Sequence, residues 1–261
     1  MAEGICKLTL KSGRFVRSHL LPLALTGAEI SGAPLIQYNS GKRPSRKWSS
    51  WYDEQLVIRE GEDILSALDN WAIWTLRLHS LVWSGWGEAT PLPPNHAVSQ
   101  LGQLSCRLVS GVDLKRLRLF LLSLLWRAAA TERSEFSEVS IPEQHLEILR
   151  QALIDGTLPS EEFYPAALTQ LSTKGVQHNL VPLAQMMRFP NLPGLGVQRL
   201  PIFRFYLDGL VIHFHRSTSG LTDRLGPMAV RASGALTVPL IPYERSFQHE
   251  NFMHVLREAK P

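Results

Sequence analysis

The sequence predicts an α+β protein, with core helices in its first part and an antiparallel, β-rich last part. Apolar residues recur at helical spacing from residue 62 to about residue 83, and a nearly all-apolar segment spans 117–130. Residues 203–215 alternate around the dipeptide Asp208-Gly209. This pattern is typical of two antiparallel strands joined by a two-residue turn.

Composition places the chain among folded proteins. Its 261 residues suit one large or two small domains, and 44% apolar with 19% charged residues exclude a disordered chain. The net charge is +4, and the 27 basic residues comprise 20 Arg and 7 Lys. Because the guanidinium fork matches phosphate oxygens, this balance permits nucleic acid as a partner. A small positive charge is also common without such a partner.

Cysteine usage and hydropathy predict a cytoplasmic protein without a membrane partner. Cys6 and Cys106 lie far apart, which favours reduced thiols. The N-terminus lacks the basic and apolar regions of a signal peptide. The apolar stretch 117–130 is too short to cross a bilayer and contains Arg118 and Arg127.

The first fifty residues predict a hairpin, a short helix and a basic loop. Residues 5–17 alternate around a glycine turn at Lys11-Ser12-Gly13, and 20–25 suit a short helix with Pro22 in its first turn. Residues 31–50 are rich in Gly, Pro and Ser, as in a surface loop. This loop carries four candidate phosphate-contacting side chains, with a merely solvated loop as the alternative: Lys42, Arg43, Arg46 and Lys47.

The first predicted helix, 62–83, places Glu62, Ser66 and Asp69 on one face. A loop follows at 85–95. Asp113 is a plausible N-cap for a second helix that runs to residue 130 and is apolar nearly all round. A guanidinium at position 127 in such a helix needs a partner. Arg127 is therefore interpreted either as a structural salt bridge or as a phosphate ligand at the edge of a cleft.

The remaining elements divide the chain into two parts, 1–173 and 174–261, with a polar seam at 174–200. Helices are predicted at 142–155, 160–173 and 247–258, and short strands at 235–243. His213 and His215 alternate onto one strand face. Because no acidic or Cys residue is near them in sequence, an exposed or half-buried strand face is favoured over a metal pair.

One constellation suits phosphodiester hydrolysis. In that reaction a base takes a proton from the attacking water, and a divalent cation stabilises the leaving oxygen. His19, at the end of the predicted hairpin, is the candidate base. Glu62, at the start of a later helix, and Asp69, further along it, are the candidate oxygen ligands for the cation. The alternative for Asp69 is an ion pair with Arg77, Arg127 or another arginine on the helix face.

The order of these motifs resembles a group of small bacterial HNH endonuclease-like proteins. The matching elements are Ser18-His19-Leu20-Leu21-Pro22, Tyr52-Asp53, Gly61-Glu62, Ser66, Asp69-Asn70 and the segment 122–128, Leu-Ser-Leu-Leu-Trp-Arg-Ala. The resemblance covers about residues 5–155. It implies a ββα-metal module packed on core helices, with His19 as base and Mg²⁺ or Mn²⁺ held by Glu62 and Asp69.

The chain departs from that family pattern at the zinc knuckle. Of the four implied cysteines only Cys6 is present, while Thr9, Ile58 and Gly61 occupy the other three positions. One thiolate cannot form a tetrahedral zinc site, so no structural zinc is expected and apolar packing must replace it. Ser18 also stands where many active relatives carry an Asp ligand, which leaves few ligands for a cation.

Three functions are consistent with these residues. The first is an HNH-type, metal-dependent endonuclease acting on DNA or RNA. The second is an inactive relative that binds nucleic acid or a partner protein. The third is a structural or interaction protein without any nucleic-acid role.

Overall fold

A computed structural model describes residues 2–27, 35–38, 45–47, 50–93, 98–101, 104–176, 178–189, 198–216 and 220–258. The α-helices in these ranges are α1 Arg59–Leu78, α2 Leu114–Ala130, α3 Glu143–Asp155, α4 Leu221–Leu225 and α5 Phe247–Glu258. The strands are β1 Glu3–Ile5, β2 Ser12–Arg14, β3 Ser18–His19, β4 Leu35–Tyr38, β5 Ser45–Lys47, β6 Tyr52–Asp53, β7 Val98–Leu101, β8 Leu104–Val109, β9 Ala166–Leu171, β10 His178–Leu180, β11 Leu183–Phe189, β12 Gln198–Leu207, β13 Leu210–His215 and β14 Leu236–Ile241.

The largest sheet has seven strands in the order β11-β12-β13-β9-β14-β8-β7. All neighbours are antiparallel except β9 and β14, which run parallel. Helices and sheet share one apolar core that extends from Cys6 to Val238. The predicted α+β class is confirmed.

The hairpin at Asp208-Gly209 is confirmed. Leu207 pairs with Leu210, and the two turn residues have φ of 48° and 83°. Positive φ at both central positions is the requirement of the type I′ turn. A Cβ on Gly209 would lie 2.4 Å from the indole nitrogen of Trp83, so the turn also needs glycine for close packing.

Three of the predicted helices form as expected. The side chain of Asp113 accepts a hydrogen bond from the Arg116 N–H at the start of α2, and α2 is buried along nearly its whole length. Pro142 precedes α3, and Gly156 ends it in the left-handed conformation with φ 62°. The terminal helix α5 and strand β14 also match their predictions. The short helix at 20–25 is a 3₁₀ turn over Leu23–Leu25.

The first hairpin turns earlier than predicted. Gly13 is not in the turn but pairs with Gly4 inside the β1–β2 ladder. The turn lies at 6–11, where the Cys6 N–H donates to the Lys11 carbonyl at 2.9 Å and the Leu10 N–H donates to the Cys6 carbonyl at 2.9 Å. The prediction placed the turn at Gly13 because glycine readily adopts a positive φ. In the structure Leu10 has the positive φ in this turn, at 59°.

Two other predictions were wrong. In place of the helix expected at 160–173, the structure has strand β9. This strand is buried between β13 and β14 and lacks the polar face that marks an amphipathic helix. The predicted loop at 31–50 contains β4 and β5, which pair antiparallel. Lys42 and Arg43 lie outside the described residues, as do the side chains of Arg46 and Lys47.

The large sheet crosses the boundary drawn at residue 173. Strands β7, β8 and β9 come from the part before it, and β11 to β14 come from the part after it. Within the predicted seam, β10 pairs in parallel with β4 near the N-terminus. The helices in the described ranges are all too short or too polar to cross a lipid bilayer.

Candidate active site

A ribbon of two short strands carries His19. Strand β3 pairs with β6, so that His19 lies opposite Tyr52 and Ser18 opposite Asp53. The rings of His19 and Tyr52 meet edge to face with centroids 6.5 Å apart, and the Arg17 guanidinium lies 3.5 Å from the Tyr52 ring centre. Helix α1 begins six residues after β6 and supplies the carboxylates.

Arg127, on α2, joins this ribbon to helices α1 and α2. Its guanidinium donates to the two carboxylate oxygens of Asp69 at 2.9 and 2.7 Å, and to the backbone carbonyl of His19 at 3.1 Å. It also donates to the Ser123 hydroxyl at 3.1 Å. Arg127 is 1% exposed, and its bidentate geometry with Asp69 is the strongest form of this ion pair. The structure thus gives Arg127 a partner inside the protein.

Glu62 lies in the first turn of α1 and is half-buried. Burial raises the pKa of its carboxyl group, and the nearby Ser18 hydroxyl and the Arg127 charge offset part of that rise. Its Oε2 atom and the Oγ atom of Ser18 are both buried, and the Ser18 hydroxyl lies where it can hydrogen-bond this carboxyl group. A carboxylate and a hydroxyl oxygen are ligands that a hard divalent cation accepts.

His19 is suited to accept a proton. Burial lowers the pKa of its imidazole, and the positive charges of Arg17 and Arg127 lower it further, while Asp69 acts in the opposite direction. The ring is therefore neutral near pH 7. Asp69 and Arg127 influence the pKa of both His19 and Glu62, which places the four side chains in one electrostatic neighbourhood.

Of the four positions that correspond to a zinc knuckle, Cys6, Thr9 and Gly61 meet at the Cys6 sulfur. The Thr9 N–H donates to the Cys6 thiol sulfur at 3.3 Å, and a Cβ on Gly61 would lie 3.0 Å from the same sulfur. Ile58 is buried against Gly13. In the part of the chain that the structure describes, no three His, Cys, Asp or Glu side chains are arranged to hold a metal ion.

The strand histidines are more deeply buried than expected. His213 is 8% exposed and His215 is 0% exposed, because their face of β13 is covered and not open to solvent. The Arg204 Nε–H donates to Nε2 of His213 at 3.1 Å. The preference for an exposed or half-buried strand face was therefore wrong.

Sequence reasoning also missed a second buried arginine in α2. Arg118 is 1% exposed and donates to four backbone carbonyls, those of Val230 at 3.3 Å, Ser160 at 2.9 Å, Glu161 at 3.3 Å and Phe163 at 3.1 Å. A backbone carbonyl leaves no trace in a residue pattern, so no signal in the sequence identified these acceptors.

Comparison of the chain with protein-family models, with curated proteins and with solved structures gave no significant match.

Proposed function

We propose that this chain is an HNH-like, nucleic-acid-binding protein that hydrolyses phosphodiesters with Mg²⁺ or Mn²⁺. The observation that carries the proposal is that His19, whose pKa is lowered, and the buried carboxyl group of Glu62 are both close to the Arg127–Asp69 ion pair, and that Arg127 also binds the His19 carbonyl. A base and an anionic oxygen ligand are the two groups that this hydrolysis requires.

Each residue then has a distinct role. His19 accepts the proton of the attacking water. Glu62, with the Ser18 hydroxyl, holds the cation, which when bound stabilises the charge that develops on the phosphate. Asp69 was predicted as a second ligand, but both its oxygens bind Arg127, so we assign it to positioning. Arg127 positions the His19 backbone and is assigned no phosphate.

The surroundings of Cys6 support an HNH-like origin of the fold. Thr9, Ile58 and Gly61, at the positions of the missing cysteines, lie around a turn and a helix start that remain adjacent without zinc. The Lys7 N–H donates to the Leu56 carbonyl at 2.9 Å, which joins the turn to the segment before α1. Backbone bonds and apolar packing thus supply the folding free energy that a metal supplies elsewhere.

The test is cleavage of plasmid DNA and of RNA with Mg²⁺ or Mn²⁺, comparing wild type with His19→Ala and Glu62→Gln. Loss of a general base is expected to slow cleavage by roughly 10²- to 10⁴-fold. Asp63→Asn is the matched control, because Asp63 neighbours Glu62 on α1 but has a side chain that is 65% exposed. Cleavage that survives His19→Ala would contradict the assignment.

A second candidate is a relative that binds nucleic acid without cutting it. It is favoured by the engagement of both Asp69 oxygens with Arg127, which leaves the cation few protein ligands. In that case no metal supports cleavage, but binding persists and weakens steeply with salt, because phosphate contacts release counterions. Binding that is absent at low salt as well would favour a protein partner.

The origin of the fold has its own test. We expect Thr9→Cys, Ile58→Cys and Gly61→Cys together to create, with Cys6, a site for one Zn²⁺ per chain. Zinc at 100 times its Kd would raise the free energy of unfolding by about 2.7 kcal/mol. Adding Cys6→Ser removes the fourth ligand and is the control. A folded variant with four cysteines that takes up no zinc would refute the HNH-like arrangement.

A further inference from the structure

A second concave site lies beside the Asp208-Gly209 turn and does not include His19 or Glu62. It is a hollow of about 600 Å³, with apolar residues of the 3₁₀ turn Leu23–Leu25 on one side. Its charged lining residues are Arg77, Glu88, Lys174 and Asp208. A small cavity of about 20 Å³ adjoins the hollow and shares Asp208 and Trp83 with it. Ligand sites commonly combine this mixture of apolar wall and few polar groups.

The small cavity is lined by His178, which is 6% exposed and stacks between Tyr206 and Phe252. Its Nδ1 lies 2.9 Å from the carbonyl oxygen of Val176. Because a carbonyl only accepts, Nδ1 must carry the proton. Burial lowers the pKa of the imidazole, so the ring is neutral and Nε2 presents a lone pair.

That lone pair requires a donor. Nε2 of His178 is buried and has no hydrogen-bond partner among the described residues. A cavity of 20 Å³ accommodates one water-sized group. The Asp208 carboxylate lines the same cavity and accepts from the Ser84 N–H at 2.9 Å. Two acceptors therefore face one small space, which suits a group with several N–H or O–H donors.

The hollow also carries two cationic side chains, Arg77 and Lys174, beside the carboxylates of Glu88 and Asp208. Arg77 donates to the Ser84 hydroxyl and to the Ala24 carbonyl, each at 3.0 Å, and the Lys174 ammonium donates to the Gly87 carbonyl at 2.7 Å. Both cations lie close enough to Asp208 to lower the pKa of its carboxyl group against the rise that burial causes. Positive and negative charges thus adjoin within one site.

We propose that this hollow binds a free α-amino acid with an apolar side chain. Its ammonium group lies between His178 and Asp208, its carboxylate faces Arg77 and Lys174, and its side chain packs on Leu23–Leu25. An α-amino acid carries both charges on neighbouring atoms, as the site does. A ligand with a charge of one sign would contact only one of these two sets of side chains, whereas an α-amino acid contacts both.

The test is an NMR titration of the full chain with L-leucine, followed at the backbone amides of Ser84, Gly87 and Lys174. Saturable shifts are expected, with a Kd of about 1 mM or tighter. N-acetyl-leucine lacks the ammonium group and leucinamide lacks the carboxylate, and each is expected to bind at least tenfold more weakly. Glycine, without a side chain, is expected to bind more weakly than leucine.

Variants separate the two charged ends. Arg77→Gln is expected to weaken leucine at least tenfold but to leave leucinamide unchanged, and Asp208→Asn is expected to weaken leucine but not N-acetyl-leucine. Arg59→Gln is the matched control, since Arg59 lies on the same helix with a side chain that is 73% exposed. Melting temperatures without ligand verify that each variant is folded.

Three results would overturn the proposal. The first is no saturable shift in wild type at roughly 10 mM leucine. The second is equal binding of leucine, N-acetyl-leucine and leucinamide, which would show that the site does not recognise the ammonium and carboxylate groups of the ligand. The third is tighter binding of ribose or inorganic phosphate than of leucine. All three use the unaltered chain and are independent of cleavage at His19.

Discussion

The ribbon around His19 and the seven-stranded sheet are held together in different ways. Strands β3 and β6 have two residues each, and side chains fix their position: Arg127 binds the His19 carbonyl, and Arg133 binds the Tyr52 carbonyl at 2.8 Å. In the sheet, β12 pairs with β11 over seven positions and with β13 over six. The candidate active site therefore depends on a few buried charges, whereas the sheet distributes its stability over many backbone bonds.

The largest loss of stability is expected when the ion pair that holds the ribbon is removed. Asp69→Ala leaves the buried Arg127 guanidinium without its counter-charge. Removing one partner of such a pair costs about 3–5 kcal/mol. Urea unfolding measures the loss, and Asp63→Ala, at an exposed ion pair of 4.0 Å, should change stability by less than about 0.5 kcal/mol. Equal effects of the two substitutions would show that the ribbon does not depend on this ion pair.

A loss of stability of similar size is expected for the sheet when the pH is lowered. Burial lowers the pKa of His215 from 6.5 to about 4. The unfolded chain therefore binds a proton that the folded chain does not, between these two pH values. Stability is unaffected by this group above pH 6.5 and falls by up to about 1.4 kcal/mol per pH unit as the pH is lowered towards 4.

The variant His215→Phe removes this titration. Its free energy of unfolding, measured by urea between pH 7 and pH 4, should decrease less steeply than that of wild type. Parallel curves for the two proteins would mean that His215 is not kept neutral by burial.

A smaller effect is expected at the turn of β12 and β13. Gly209→Ala places a Cβ at φ 83° and within 2.4 Å of Trp83. A destabilisation of about 1–3 kcal/mol is expected from strain and displacement of the indole. Gly234→Ala has a positive φ of 102° but meets nothing within 4 Å, so its smaller loss isolates the conformational part. Thermal unfolding of both variants makes the comparison.

Sequence reasoning was most successful where a local rule decides the structure. Asp113 as a cap, Gly156 as a helix end and Asp208-Gly209 as a turn each act through their own backbone or immediate neighbours. It was wrong for β9, where burial between two strands overrode the expected helix. Propensity is a weak guide in such buried segments, because tertiary contacts decide them.

The candidate sites show the same limit. Helical spacing placed Glu62 and Asp69 on one face, and an arginine in an apolar helix required a partner. The pattern left open whether Asp69 binds a cation or an arginine, and the structure shows both its oxygens on Arg127. His178 had no signal at all, because the pairing of β10 with β4 and the packing of α5 bring its surroundings together from distant segments.

The position of β14 has a consequence for synthesis on the ribosome. This strand lies between β9 and β8 in the sheet. It alone joins the β7–β8 pair to the other four strands, which are β9, β13, β12 and β11. Among the strands in the described ranges it is also the one made last. At 5–20 residues per second, the roughly 65 residues from β9 to β14 take seconds to emerge. During that time β8 and β9 each lack their β14 neighbour, and unpaired strand edges are sites at which other chains can pair.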